Sequence, residues 1–103
     1  MNILLSIGIA WLVSQSVKIL ISRKTTAFWQ VGGMPSSHSA LVGALATAMT
    51  IQEGYMSPAA AISYVLAAIV MHDAVHIRKQ HTMTEILFGL AIGIAVVLVL
   101  TYV

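Results

Sequence analysis

Gly32-Gly33-Met34-Pro35-Ser36-Ser37-His38-Ser39-Ala40 ends one apolar stretch of the chain and begins another within nine residues. The two glycines free the backbone. Pro35 then stands where a helix can start, because a first-turn proline lacks only an N–H that had no partner there. Two serines and a histidine follow within one turn. A helix N-terminus presents unpaired N–H groups and the positive end of the macrodipole, which suits an anion. A phosphate at this turn would meet backbone N–H groups, two hydroxyls and an imidazole proton. Ser-Ser-His taken by itself would equally serve as a polar interhelical turn.

Working outward, the stretch from about Ile3 to Ile21 is apolar and long enough to cross ~30 Å of hydrocarbon at ~1.5 Å per residue. The second helix is expected from Pro35 to about Gln52, with Gly54 as its C-terminal stop. Its short, polar start suits a helix entered from a loop dipping into the membrane. Ser57 as N-cap and Pro58 at the first position open a third helix, expected to reach about Ile77. The fourth runs from about Thr82 to Val103. This predicts an all-α, polytopic membrane helical bundle of about four transmembrane helices, with residues 1–103 forming a single domain.

Composition agrees. Of 103 residues, 59% are hydrophobic and only 8% charged, against about 25% charged in soluble domains. There is no cysteine, so disulfides and thiolate metal sites are excluded. Met1-Asn2-Ile3 lacks a basic n-region, and the first apolar stretch is too long for a signal peptide, so it reads as a retained span. Four spans put the 22–37 and 77–82 loops on one side. Lys18, Arg23, Lys24, Arg78 and Lys79, the five cationic side chains, all lie there or at the adjoining helix ends. The opposite side carries Glu53. The positive-inside rule makes the cationic side cytoplasmic and turns both termini outward.

Chemistry-bearing residues gather on that side. Lys18 lies one turn from the end of the first helix; an isolated lysine there is expected to snorkel to the interface, the alternative being the wall of a polar cavity. Arg23 and Lys24 read as topology determinants. Arg78 offers a planar fork matching phosphate oxygens, with Lys79 as a supporting cation. His81 and Glu85, four apart, share a helical face, where the carboxylate can orient the imidazole and raise its basicity. Thr82-x-x-Glu85 is also a capping box. His72-Asp73-Ala74-Val75-His76 has the histidine spacing of zinc proteases, but its acid is aspartate and no third ligand is assigned. Asp73 is expected to pair with Arg78 or Lys18.

These motifs together resemble the divergent branch of the type-2 phosphatidic acid phosphatase family, the lipid-phosphatase relatives of vanadium haloperoxidases. The resemblance rests on residues 32–40, on Met71-His72-Asp73-Ala74 with Arg78 after it, on His81-Thr82 with Glu85 and Gly89, and on the Lys18 region. It implies a lipid phosphatase that needs no metal or other cofactor and works through a phosphohistidine. Lys18, Ser36, Ser37 and Arg78 would hold phosphate oxygens. His38 would protonate the leaving alkoxide, His81 would attack phosphorus and Glu85 would orient it. The chain departs from the wider family in having no Arg-Pro after Lys18, Ser37 in place of a glycine, and only two residues between Arg78 and His81.

The expected substrate is a phospholipid or polyprenyl phosphate, as monoester or diphosphate, met at the cytoplasmic face of the cell membrane. The sequence carries no Walker loop, dinucleotide fingerprint or acidic metal cluster, and no nucleic-acid partner is expected. A non-catalytic binder or carrier of anionic lipid headgroups would need the same cations and helix start but no nucleophile. A small structural subunit would use the polar residues only to close turns. Gly89-x-x-x-Gly93 and the stripe Ala40, Ala44, Ala48 allow close helix contact, inside one chain or in a two-fold homodimer.

Overall fold

The computed structural model describes residues 2–22, 37–77 and 83–102. They form four helices: α1 (Ile3–Ser22), α2 (Ser37–Glu53), α3 (Pro58–His72), extended by a π-helical turn (Asp73–Ile77), and α4 (Met83–Tyr102). The chain is thus the all-α bundle its composition calls for. α1, α3 with most of its π turn, and α4 are long and apolar enough to cross a membrane. α2, with 17 residues, is not among them.

The ends follow from local chemistry. Asn2 caps α1, its side-chain oxygen accepting from the Leu5 N–H at 3.0 Å. Gly54 terminates α2 with φ +95°, a conformation that suits glycine, while its N–H donates to the Thr50 carbonyl at 3.1 Å. Ser57 caps α3 by accepting from the Ala60 N–H at 3.1 Å, and Pro58 follows in the first turn. The expected stop at Gly54, cap at Ser57 and first-turn proline at Pro58 hold. The α-helix of α3 ends sooner than expected, at His72, and the π turn supplies the remaining residues to Ile77.

α2 packs against all three other helices, and α1 also packs against α4. The tightest seam joins α2 to α4. A Cβ at Gly93 would overlap the Ala40 carbonyl oxygen and stand 2.8 Å from the Ala44 backbone nitrogen. Farther along, Ala44, Ala48 and Val97 share a buried cluster with Ala10 of α1. The matched order of these residues makes α2 and α4 parallel, with α1 running against both. The two small-residue stripes therefore meet within one chain, and a homodimer would have to use another surface. α2 and α3 are joined by a hydrogen bond between Thr50 Oγ1 and Tyr64 Oη beside their short turn.

This placement explains the modest apolarity of α2. Its neighbours cover it, so Ala40, Val42, Ala44 and Ala48 are buried against protein. Leu4, Leu20, Ile62, Val65, Leu87 and Val99 on the other helices are exposed, as lipid-facing side chains should be.

Candidate functional site

The alternating helix directions bring the end of α1, the start of α2, the end of α3 and the start of α4 to one end of the bundle. Lys18 is the most unusual side chain there. It is only 2% exposed, and the Glu85 carboxylate of α4 acts on its ammonium electrostatically. The expectation of a snorkelling lysine is therefore corrected: Lys18 turns inward. A buried ammonium is costly unless polar or opposite charge surrounds it. Ser14 and Gln15 on α1 and Ser39 on α2 are buried as well. The Ser14 hydroxyl has no hydrogen-bond partner among the described residues.

Ser37 and His38 open α2. His38 is exposed. Glu85 lies in the first turn of α4 and is half-buried. Asp73 begins the π turn, is half-buried, and donates its backbone N–H to the Ile69 and Val70 carbonyls. Ser36, Arg78, Lys79 and His81 lie outside the described residues, as do Pro35 and Thr82 of the expected helix starts.

His72 and His76 project from one face at the end of α3, with ring centroids 4.7 Å apart and ring planes inclined by 35°. With Met71 and Val75 they form one wall of a cleft of about 280 Å³, whose other wall includes Met83 and Ile86 of α4. No group of three His, Cys, Asp or Glu side chains able to hold a metal ion occurs among the described residues.

The depth of this end suits lipid chemistry. Tyr55 and Tyr102 are exposed at the opposite end, as tyrosines at a membrane–water boundary are. Glu85 precedes Tyr102 by seventeen residues, or about 26 Å of helix. With ~30 Å of hydrocarbon, a Tyr102 at one boundary puts Glu85 just inside the other, near headgroup level.

Ser14, Gln15 and Ser39 were not singled out from the sequence. Ser14, Gln15 and Ser16 are consecutive polar residues in an otherwise apolar span, and intramembrane polarity was the available signal. Ser39 was hidden by the more suggestive Ser36-Ser37-His38 before it.

Comparison with known proteins gives the chain a kinship. The chain is 37% identical over 79 residues to the uncharacterized membrane protein YuiD of Bacillus subtilis (strain 168), an alignment covering 75% of this chain and 50% of that protein. The chain thus spans about half the length of the curated relative it matches. No solved structure matches it. The sequence model described as the Divergent PAP2 family matches residues 1–84, a stretch that takes in Lys18, the Ser36-Ser37-His38 helix start, Asp73, Arg78 and His81 and stops just before Glu85. A match over that much of the chain shows its kinship: it belongs to the divergent PAP2 family.

Proposed function

We propose that this end of the bundle hydrolyses a lipid phosphate monoester or diphosphate through a phosphohistidine, without a metal. The observation that carries the reading is Lys18, a buried ammonium at the end of the bundle where α2 presents its N-terminus. Phosphoryl transfer needs positive groups fixed around the equatorial oxygens, because charge stabilisation and positioning supply most of the catalysis. Lys18, Arg78, Ser36 and Ser37 take that part, with Lys79 and Asp73 in support. The His81 imidazole attacks phosphorus as the bond to the leaving oxygen breaks, and His38 gives that oxygen its proton. Water then cleaves the phosphorus–nitrogen bond, releasing phosphate and restoring His81. Glu85 holds the His81 ring.

The test is phosphate release by the purified protein from phosphatidate, phosphatidylglycerophosphate and polyprenyl phosphate or diphosphate, with and without chelator. Release should survive chelation. His38→Ala should depress turnover far more than binding, since leaving-group protonation belongs to the transition state. An acid-labile phosphohistidine should form on His81 and be lost in His81→Ala. Full turnover by His38→Ala, or label on another histidine, would reassign the roles.

One observation favours a second reading. Glu85 acts on Lys18, and a carboxylate committed to a lysine has less to give an imidazole. A binder or carrier of anionic headgroups needs only the cation and the helix start. Tight binding of the same lipids without phosphate release would establish it.

A further inference from the structure

We propose that the cleft between the end of α3 and the start of α4 binds a soft monovalent metal ion of the copper(I) class. The donors are the imidazoles of His72 and His76 and the thioethers of Met71 and Met83. The phosphatase reading uses none of these side chains, so the two stand or fall separately.

Four observations meet here. All four residues line the same cleft of about 280 Å³. The two imidazole rings lie 4.7 Å apart, close enough for one ion to be shared through metal–nitrogen bonds of about 2 Å. The helix changes to a π turn directly after His72, and that turn carries His76; such turns recur at functional sites. Finally, both histidines are exposed at the end of a helix apolar enough to span the membrane, where an ion can reach them from the aqueous side.

The donor set selects the ion. Thioethers favour soft metals and copper(I) in particular, whereas imidazole serves zinc, copper, iron and nickel, so copper is common to both. Magnesium and calcium need oxygen ligands, and the cleft walls offer thioether, imidazole and hydrocarbon side chains. The charge agrees too. Four neutral donors add no negative charge, so a monovalent ion enters an apolar cleft at far smaller electrostatic cost than a divalent one. α3 and α4 each pack on α2 and make little direct contact with each other. A bound ion would therefore join α3 to α4.

The test uses the full chain in detergent, with copper(I) held under ascorbate by an excess of a chromophoric copper(I) chelator. The wild type should withdraw one equivalent. His72→Leu and Met83→Leu should each weaken binding by about tenfold or more, since even outer-shell changes at metal sites cost that much. Met56→Leu, an exposed methionine at the opposite end, should leave it unchanged. Helix content and thermal unfolding of each variant separate lost donors from lost fold. X-ray absorption on the wild-type complex should show both sulfur and nitrogen neighbours. No withdrawal by the wild type, unchanged affinity in both donor variants, or a sulfur-free copper environment would overturn the proposal. Phosphate release is read in none of these arms.

Discussion

An ammonium group inside a helical bundle has to be met by something. At Lys18 it is met by the charge of Glu85, in a bundle that also buries Ser14 and Gln15 of the same helix and Ser39 of α2. Removing the Glu85 charge leaves a buried ammonium without its counter-charge, and removing the Lys18 charge leaves a half-buried carboxylate without its own. Lys18→Met and Glu85→Gln should therefore each lower stability, while the double variant loses less than their sum, with a coupling of about 1–3 kcal/mol. Unfolding of the four proteins in mixed micelles measures this, and strict additivity would rule the coupling out. The inward turn of Lys18 was not legible in the sequence. A lysine near a helix end reaches water easily, and only the packing of α1 against α4 decides that it does not. The nature of the chemistry was more legible, because histidine and cations are rare in membrane chains and stand out wherever they occur. Which of them touch is a property of helix directions and faces, and no local motif records it.

Between helices, the decisive contact is backbone against backbone. Gly93 allows α4 to lie on the Ala40 and Ala44 turn of α2, where an added methyl group would meet main-chain atoms that cannot swing aside. Gly93→Ala should destabilise the bundle by about 1–3 kcal/mol, the usual cost of overpacking. Gly8 on α1 has nothing within 4 Å of its would-be Cβ. Gly8→Ala should be neutral or stabilising, by up to about 1 kcal/mol, because alanine restricts the unfolded chain and favours helix. Equal responses at the two sites would refute this account of the seam. Helix number, Gly54, Ser57 and Pro58 were legible because each rests on chemistry within a few residues. The π turn was not, since no short-range pattern distinguishes Asp73-Ala74-Val75-His76-Ile77 from one more turn of α-helix. The stripes Ala40-Ala44-Ala48 and Gly89-Gly93 were visible as surfaces for close contact, but spacing alone names no partner, and the partners proved to be each other.

For the whole molecule, the open issue is which way up it sits. Every cationic residue lies near one end of the bundle or in the loops leaving it, so that end should face the cytoplasm. The native chain has no cysteine, so single cysteines at Asn2 and Lys24 make clean reporters. In intact cells an impermeant thiol reagent should label position 2 and spare position 24; the reverse pattern would put the proposed phosphatase site on the outer face. A different consequence comes from the sheathing of α2 by its three neighbours. A helix this short, with Ser37, His38, Ser39, Thr47, Thr50 and Gln52 along it, partitions weakly into lipid when it emerges alone during synthesis, because insertion depends on each segment's own apolarity. Its commitment to the bilayer must therefore wait for α3 and α4 to be made. Translation stopped after Glu53 should leave α2 accessible to added protease in microsomes or inverted vesicles, whereas the finished chain protects it. The step at which this bundle becomes resistant to degradation is thus the arrival of α4.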